Sequence, residues 1–301
     1  MKVLITGATG LIGKALSVRL LSEGYHIHYL TTGKSKIKST PECKGFYWNP
    51  AKKEIDIEAF KDVSVIINLA GSSIAKRWTK SYKKQVLDSR IDSLQVLYDA
   101  IKSNNLSVDH LISSSAIGYY PNSLTQYYTE EYVSTDVSFL SKVVQDWEAA
   151  ADKFKSLGIK VSCVRTGIVL SDEEGAFSKL VNPIQKYAGA PLGSGDQWQS
   201  WIHINDIVGI YQHILKNKLE GIFNGVAPNA VTQTNLTKAI AKTLQKPLIL
   251  PKIPTFVLKT LLGEMHVIVT QGQRVSAEKI KHTGYNFEYF EVNDALKNLL
   301  A

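Results

Sequence analysis

Two cysteines in 301 residues, Cys43 and Cys163, stand alone and far apart. They fit neither a disulfide framework nor a metal cluster, and a reduced, cytoplasmic protein is the expectation. No apolar run approaches the roughly 18 residues that a membrane-spanning helix needs. Strand-like sequence begins at Lys2, which leaves no room for a signal peptide. Internal repeats, low-complexity tracts and basic-aromatic nucleic-acid modules are also missing, although the formal net charge is +8. The lysines are spread along the chain, with local clusters at 34–38 and 76–84. They read as a solvated basic surface, part of which suits a phosphorylated cofactor.

What is present is a regular alternation. A hydrophobic content of 44% is enough for at least one full core and a smaller second lobe. "KVLITGA" is a β-branched run ending in glycine, and "LIGKALSVRLLSEG" continues with helical periodicity. "YHIHYLTT" and "VSVIINLAG" read as a second and third strand, nearly continuous in apolar residues, as a sheet covered on both faces requires. The helical segment "TKSYKKQVLDSRIDSLQVLYDAIKSNN" leads to the strand "HLISSSA", and a helix at 139–157 leads to "KVSCVRTGIVL". Strands alternating with helices predict an α/β fold with a doubly wound parallel sheet. Glycine and proline become denser after about residue 170, where short elements suggest a substrate-side lobe. A small strand is expected near "YNFEYF".

The loop "TGATGLIG" sits between the first strand and first helix, where dinucleotides bind. Gly7 permits the tight turn, Gly10 lets backbone approach a pyrophosphate, and Gly13 lets the helix pack close to the strand. Thr9, Leu11 and Ile12 complete the loop, and the helix N-terminus offers N–H groups to phosphate. An NAD site usually carries an acid at the end of the second strand. Here the sequence is "YLTTGKSK", with no acid before Glu42. Thr31 and Thr32 suit a 2′-phosphate, and Lys34 or Lys36 neutralises it, so NADP is favoured over NAD. Small residues in "NLAG", Gly71 included, let the third strand's end lie against the cofactor.

These motifs together resemble the extended short-chain dehydrogenase/reductase superfamily, and within it the atypical "epimerase family protein" branch, the YfcH-like proteins. The resemblance rests on "TGATGLIG", "NLAGSSIAKRW", "SRIDS", "SSSAIGYY", "WEAAA", "VRTGIVL", "GAPLGSGDQWQSWIHINDIV", "NGVAPNAVT" and "QGQRV". It implies that Leu69, Ala70, Gln85, Arg90 and Val169 join the glycine loop around NADP. Ser113 from the serine cluster and Arg165 at a strand end are further candidates for the cofactor; a substrate anion or a structural ion pair would suit Arg165 equally. The expected organisation is an NADP-binding Rossmann domain over 1–170 that also receives later segments, about 200–228. A mostly substrate-side lobe follows over 171–247, then a small carboxy-terminal domain of unknown function over 248–301. The resemblance also implies a homodimer through the helices near 80–104 and 139–157.

One more absence defines the chemistry. Extended members use a serine or threonine at a strand end, followed by Tyr-x-x-x-Lys for proton transfer. The only Tyr-x-x-x-Lys here, Tyr98 to Lys102, lies on the wrong helix, where it reads as a surface contact. The expected positions hold Leu140 and Val144. Ser115, last in its cluster, is the natural counterpart of the first residue; Tyr119 and Tyr120 follow the serine strand, where they either pack on the loop or reach over the cofactor, and Tyr119 is the expected substitute proton donor. His203 and Asp206 lie in the segment that flanks the substrate pocket in extended members, with Asp206 also suited to capping a helix; no third ligand suggests a metal. The expected function is an NADP-dependent oxidoreductase or isomerase acting on an unidentified small carbonyl or hydroxyl substrate. The alternative is a non-catalytic NADP-binding regulatory or sensor protein.

Overall fold

Val3 and Ile5 point to one side of the first strand and Leu4 to the other, and all three are fully buried. Both faces of that strand are therefore covered. In the computed structural model, which describes residues 1–173 and 175–300, this strand is the centre of an eight-stranded sheet. Its strands are β1 (Lys2–Thr6), β2 (His26–Thr31), β3 (Cys43–Asn49), β4 (Glu54–Ile55), β5 (Val63–Asn68), β6 (His110–Ala116), β7 (Lys160–Thr166) and β8 (Gly221–Gly225). They lie in the order β8-β7-β6-β5-β1-β2-β3-β4, all parallel except the β3–β4 pair. The strand order reverses on either side of β1, which opens a crevice at the carboxyl ends of the strands.

Helices α1 (Leu11–Ser22), α2 (Lys80–Ser103), α3 (Phe139–Asp152), α4 (Ala176–Gln185), α5 (Ile204–Asn217) and α6 (Gln233–Thr243) follow in chain order. Leu16 and Leu20 of α1 and Ile207, Ile210 and Ile214 of α5 pack on the face carrying Val3, Ile5 and Ile67. Leu94 and Leu97 of α2 and Trp147 of α3 cover the face carrying Leu4, Ile66 and Leu111. A third cluster joins α4, α6 and the helix Val292–Leu300 through Phe177, Ile184, Leu236, Ile240 and Leu296.

Within the eight-stranded sheet, three strands are additional to those legible in the sequence. β3, β4 and β8 extend the sheet at its two edges, so "VSVIINLAG" supplies the fifth strand in chain order rather than the third. In β3, "CKGFYWN" mixes lysine and glycine with aromatics. Gly45 is needed there because a Cβ would lie 2.5 Å from the Tyr29 hydroxyl. The strand expected near "YNFEYF" does not form. The N–H groups of Glu288 and Tyr289 donate instead to the Asp206 carboxylate, at 2.8 and 3.0 Å. Tyr285 donates its hydroxyl to the same group at 3.0 Å.

Asp206 therefore does not cap α5, although it lies in the first turn. His203 is the cap: its Nδ1 accepts from the Asn205 N–H at 3.1 Å. Nε2 must then carry the ring proton, and it donates to Asn298 Oδ1 at 3.1 Å. The ring also stacks on Tyr289, with centroids 3.9 Å apart. The "WIHINDI" segment thus docks the carboxy-terminal residues, and both side chains are buried.

A buried histidine in the sheet gives a pH-dependent stability. His110 Nε2 pairs with Ser162 Oγ at 2.8 Å, and Ser162 gives its own proton to the Leu219 carbonyl. Nδ1 is left buried without a partner among the described residues. Burial lowers the His110 pKa to about 4, with the Lys160 charge adding to the effect. The folded state thus refuses a proton that the unfolded chain accepts near pH 6.5. Stability is complete above that value and is lost as pH falls toward 4. Between pH 7 and 5 the loss from this group should be on the order of 1–2 kcal/mol, read from denaturant midpoints. An equal pH slope in His110→Gln would show that other groups carry it.

Candidate functional site

The crevice at the switch point is built from backbone before side chains. Gly7 adopts φ +70°, and a Cβ there would lie 2.7 Å from the Leu69 carbonyl oxygen. Gly13 has even less room, its Cβ position being 2.2 Å from the Gly7 oxygen. The loop is thereby pressed against the end of β5 and against its own helix. Thr6 fixes that arrangement. Its hydroxyl donates to Asn68 Oδ1 at 2.7 Å and accepts from the N–H groups of Leu69 and Ala70 at 3.2 and 3.1 Å. No side chain caps α1 and no acid lies in its first turn, so the helix presents its N–H groups and positive dipole end to the crevice.

This crevice encloses about 620 Å³. Of the residues expected at the cofactor, Gly7, Thr9, Thr31, Thr32, Ala70, Gly71 and Gln85 line it together. Gly10 and Leu11 open the helix at its mouth, with Leu11 lying against Gly175. Ile12, Leu69 and Val169 pack against the neighbouring core, and Val169 pairs with Ile202 in a separate two-stranded sheet.

Four expectations need correction or sharpening. Lys36 lines the crevice, whereas Lys34 lies over the Tyr47 ring, 5.1 Å from its centroid. The cation beside Thr31 and Thr32 is therefore Lys36. Ser113 is fully buried inside the sheet, where it accepts from Asn68 Nδ2 at 3.3 Å and donates to the Ser114 carbonyl. Arg165 is 1% exposed and cannot reach a ligand in the crevice. Arg90 sits behind the crevice wall: it donates to the Ser72 and Val86 carbonyls and lies over Trp147. Burial without a carboxylate partner lowers its pKa to about 10. It braces the 71–72 segment from behind.

The sequence reading missed several lining residues. Asn49 and Pro50 come from the unread strand β3 and the turn after it, and Asp88, Ser89 and Asp92 come from α2. The signal for the second group was the helical spacing of Ser81, Gln85, Ser89 and Asp92, which share one polar stripe.

The residues expected from the sequence to handle the proton do not line that crevice but belong to a buried network. Ser115 donates to Glu148 Oε1 at 2.6 Å. Arg165 holds both Glu148 oxygens, each at 2.8 Å. Arg165 also donates to the Tyr120 hydroxyl at 3.0 Å, and Tyr120 donates to Asn224 Oδ1 at 2.8 Å. Burial opposes the charge on Arg165, but Glu148 more than offsets it and raises the guanidinium pKa. Burial pushes Tyr120 up to about 12 despite that cation, so Tyr120 stays a neutral donor. Tyr119 packs its ring on the Arg165 guanidinium, 3.4 Å from the centroid, and its hydroxyl accepts from the Ser134 N–H at 3.2 Å. Leu140 contacts the Gly118 region at the start of α3, and Val144 lies beside it. Lys102 lies over the Tyr98 ring on α2, and Tyr98 itself packs edge-on against Phe154 and pairs with Ser156.

A mainly parallel sheet reversed at β1, with a glycine loop at its carboxyl edge, defines a Rossmann-like protein of the extended short-chain dehydrogenase type. The chain belongs to the NAD dependent epimerase/dehydratase family, whose model matches residues 3–225. Residues 253–299 match a domain of unknown function, DUF1731. Epimerase family protein SAR0825 of Staphylococcus aureus is 37% identical over 299 residues, spanning 99% of this chain and 98% of that one. Epimerase family protein SERP0438 of Staphylococcus epidermidis is 36% identical over 300 residues, spanning 99% of each. The crystal structure of human epimerase family protein SDR39U1 with NADPH matches with a TM-score of 0.85 and 30% identity, over 99% of both chains. A nucleoside-diphosphate sugar epimerase from Corynebacterium glutamicum matches with a TM-score of 0.79 and 27% identity, over all of this chain and 58% of that one. Among the described residues, no helix is long and apolar enough to cross a membrane, and no group of three or more His, Cys, Asp or Glu side chains is placed to hold a metal ion.

Proposed function

We propose that this protein is an NADP(H)-dependent oxidoreductase or isomerase acting on a small carbonyl or hydroxyl compound, with Tyr119 as the proton donor. One observation carries the assignment of Tyr119. Ser113, Ser115 and Tyr120 each donate a hydrogen bond to a protein acceptor, while the Tyr119 hydroxyl accepts from the Ser134 N–H and has no acceptor of its own among the described residues. The preference for NADP is supported by Thr31, Thr32 and Lys36 in the crevice, by the absence of an acid at the end of β2, and by the NADPH in the human relative. When bound, the dinucleotide supplies or takes up the hydride. The chain orients it through the glycine loop, and Tyr119 balances the proton.

Titration with NADPH and NADH, followed by a panel of small carbonyl substrates, tests this reading. NADPH should bind more tightly than NADH. Tyr119→Phe should keep that affinity and lower turnover by about 10²–10⁴-fold. Tight NADPH binding with no oxidation across the panel, and no effect of Tyr119→Phe, would favour a non-catalytic NADP-binding sensor. The apolar residues Leu140 and Val144, at the positions where proton transfer is normally organised, are the observation on that side.

A further inference from the structure

Exposed apolar side chains scattered singly are ordinary on a folded surface. Residues 246–261 gather four large ones. The segment begins with "KPLILPK", a loop without regular structure in which Pro247 and Pro251 fix the backbone at either end. Ile249 and Leu250 at its centre are 68% and 45% exposed. Ile253 then ties the chain to the body: its N–H donates to the Pro191 carbonyl and its carbonyl accepts from the Gly193 N–H, both at 2.9 Å. Beyond that anchor comes α7 (Thr255–Leu262), which buries only Leu258. Phe256 and Leu261, on the open part of that helix, are both 71% exposed. Loop and helix thus hold apolar side chains out in water on either side of one fixed point, which is unfavourable until something covers them.

The charge around them has one sign. Residues 221–263 contain five lysines and no Asp or Glu. Lys246 and Lys252 bracket the loop, Lys259 interrupts the apolar run of α7, and Lys238 and Lys242 stand on α6. Lys246 donates to the Tyr187 hydroxyl at 2.8 Å and Lys252 to the Ser194 carbonyl at 2.5 Å, neutral partners that leave both charges unbalanced. Such a surface calls for an anionic partner, and its projecting side chains call for one into which they can sink. Nucleic acid and acidic polypeptide supply the charge without a fluid apolar layer. The boundary between headgroups and acyl chains of an anionic bilayer supplies both.

We propose that loop 246–252 and α7 dock this protein on anionic lipid surfaces. Ile249, Leu250, Phe256 and Leu261 enter the acyl boundary, and the lysines lie among the headgroups. The protein lies on the bilayer without crossing it, and this role is independent of the cofactor reading.

The test is co-sedimentation of the full-length protein with vesicles of phosphatidylcholine mixed with phosphatidylglycerol, and with vesicles of phosphatidylcholine alone. The mixed vesicles should bind at least about tenfold more tightly, and high salt should erase the difference. Ile249→Ser with Phe256→Ser should weaken that binding about tenfold or more, as should Lys242→Gln with Lys259→Gln. Val18→Ser, which removes an exposed valine on α1, should bind like the wild type. All of these positions are exposed, and circular dichroism should show each variant folded. No binding to the mixed vesicles, equal binding to the neutral ones, or full binding by the serine pair would overturn the proposal. Binding to DNA or polyglutamate as tight as to vesicles, and unchanged in the serine pair, would overturn it in favour of a purely electrostatic partner. A dimer in light scattering that the serine pair dissociates would assign the patch to a second copy of the chain instead.

Discussion

Glu148→Ala should lower the free energy of unfolding by about 3–5 kcal/mol, the cost of stranding a buried charge. Arg165 is 1% exposed at its side chain, and both carboxylate oxygens of Glu148 are engaged with it. Without Glu148 the guanidinium keeps its charge, its aromatic neighbours and one bond to Tyr120, with no anion to balance it. The partners are not equivalent, because the Glu148 side chain is 11% exposed and borders a groove. Arg165→Met should therefore cost less than Glu148→Ala. The double replacement Glu148→Leu with Arg165→Met should recover most of the loss, since an apolar pair of similar volume carries no desolvation cost. Guanidinium unfolding monitored by tryptophan fluorescence provides the comparison. A loss below about 1 kcal/mol for Glu148→Ala would mean that water reaches Arg165 and that the network is not a dry ion pair.

The second large effect concerns Gly13. A methyl group there would lie 2.2 Å from the Gly7 oxygen and 2.7 Å from the Ala8 Cα, both backbone atoms without a rotamer in which to yield. Gly13→Ala must push α1 away from the loop, moving the helix N–H groups that open onto the crevice. Displacements near 1 Å at such sites cost about 100-fold. NADPH affinity should fall by at least that factor, measured by titration alongside circular dichroism to confirm the fold. Gly24→Ala is the control: nothing lies within 4 Å of its Cβ position, and it is remote from the crevice. Its strained φ of +79° should cost stability and leave NADPH affinity unchanged. Full NADPH affinity in Gly13→Ala would refute the close helix–loop contact as the basis of cofactor binding.

These two positions differ in how far the sequence revealed them. Gly13 was legible because a glycine triplet between an apolar strand and an amphipathic helix has few physical explanations. Glu148 was not, since a carboxylate on a helix reads equally well as a surface group. Only the approach of β7 to α3 places Arg165 against it. Arg165 was read with the cofactor, the substrate and an ion pair all open, and the ion pair is what formed. His203 and Asp206 show the same limit. Their spacing suggested a cap or a pocket wall, and nothing local announces that the backbone of residues 288–289, more than 80 positions later, supplies donors to Asp206.

Local pattern by itself determined the parallel sheet, the helices on both of its faces, the glycine loop, and the apolar residues at 140 and 144. Each depends on neighbours within a few positions, through strand alternation, helical period or the φ angles that only glycine adopts readily. Tertiary structure decided the edge strands β3, β4 and β8, the choice of Lys36 over Lys34, the inward burial of Ser113 and Arg165, and the lack of a described hydrogen-bond acceptor for the Tyr119 hydroxyl. Those outcomes depend on which polar groups meet after the chain has closed. Burial leaves each of them to find a partner among residues that the sequence holds far apart.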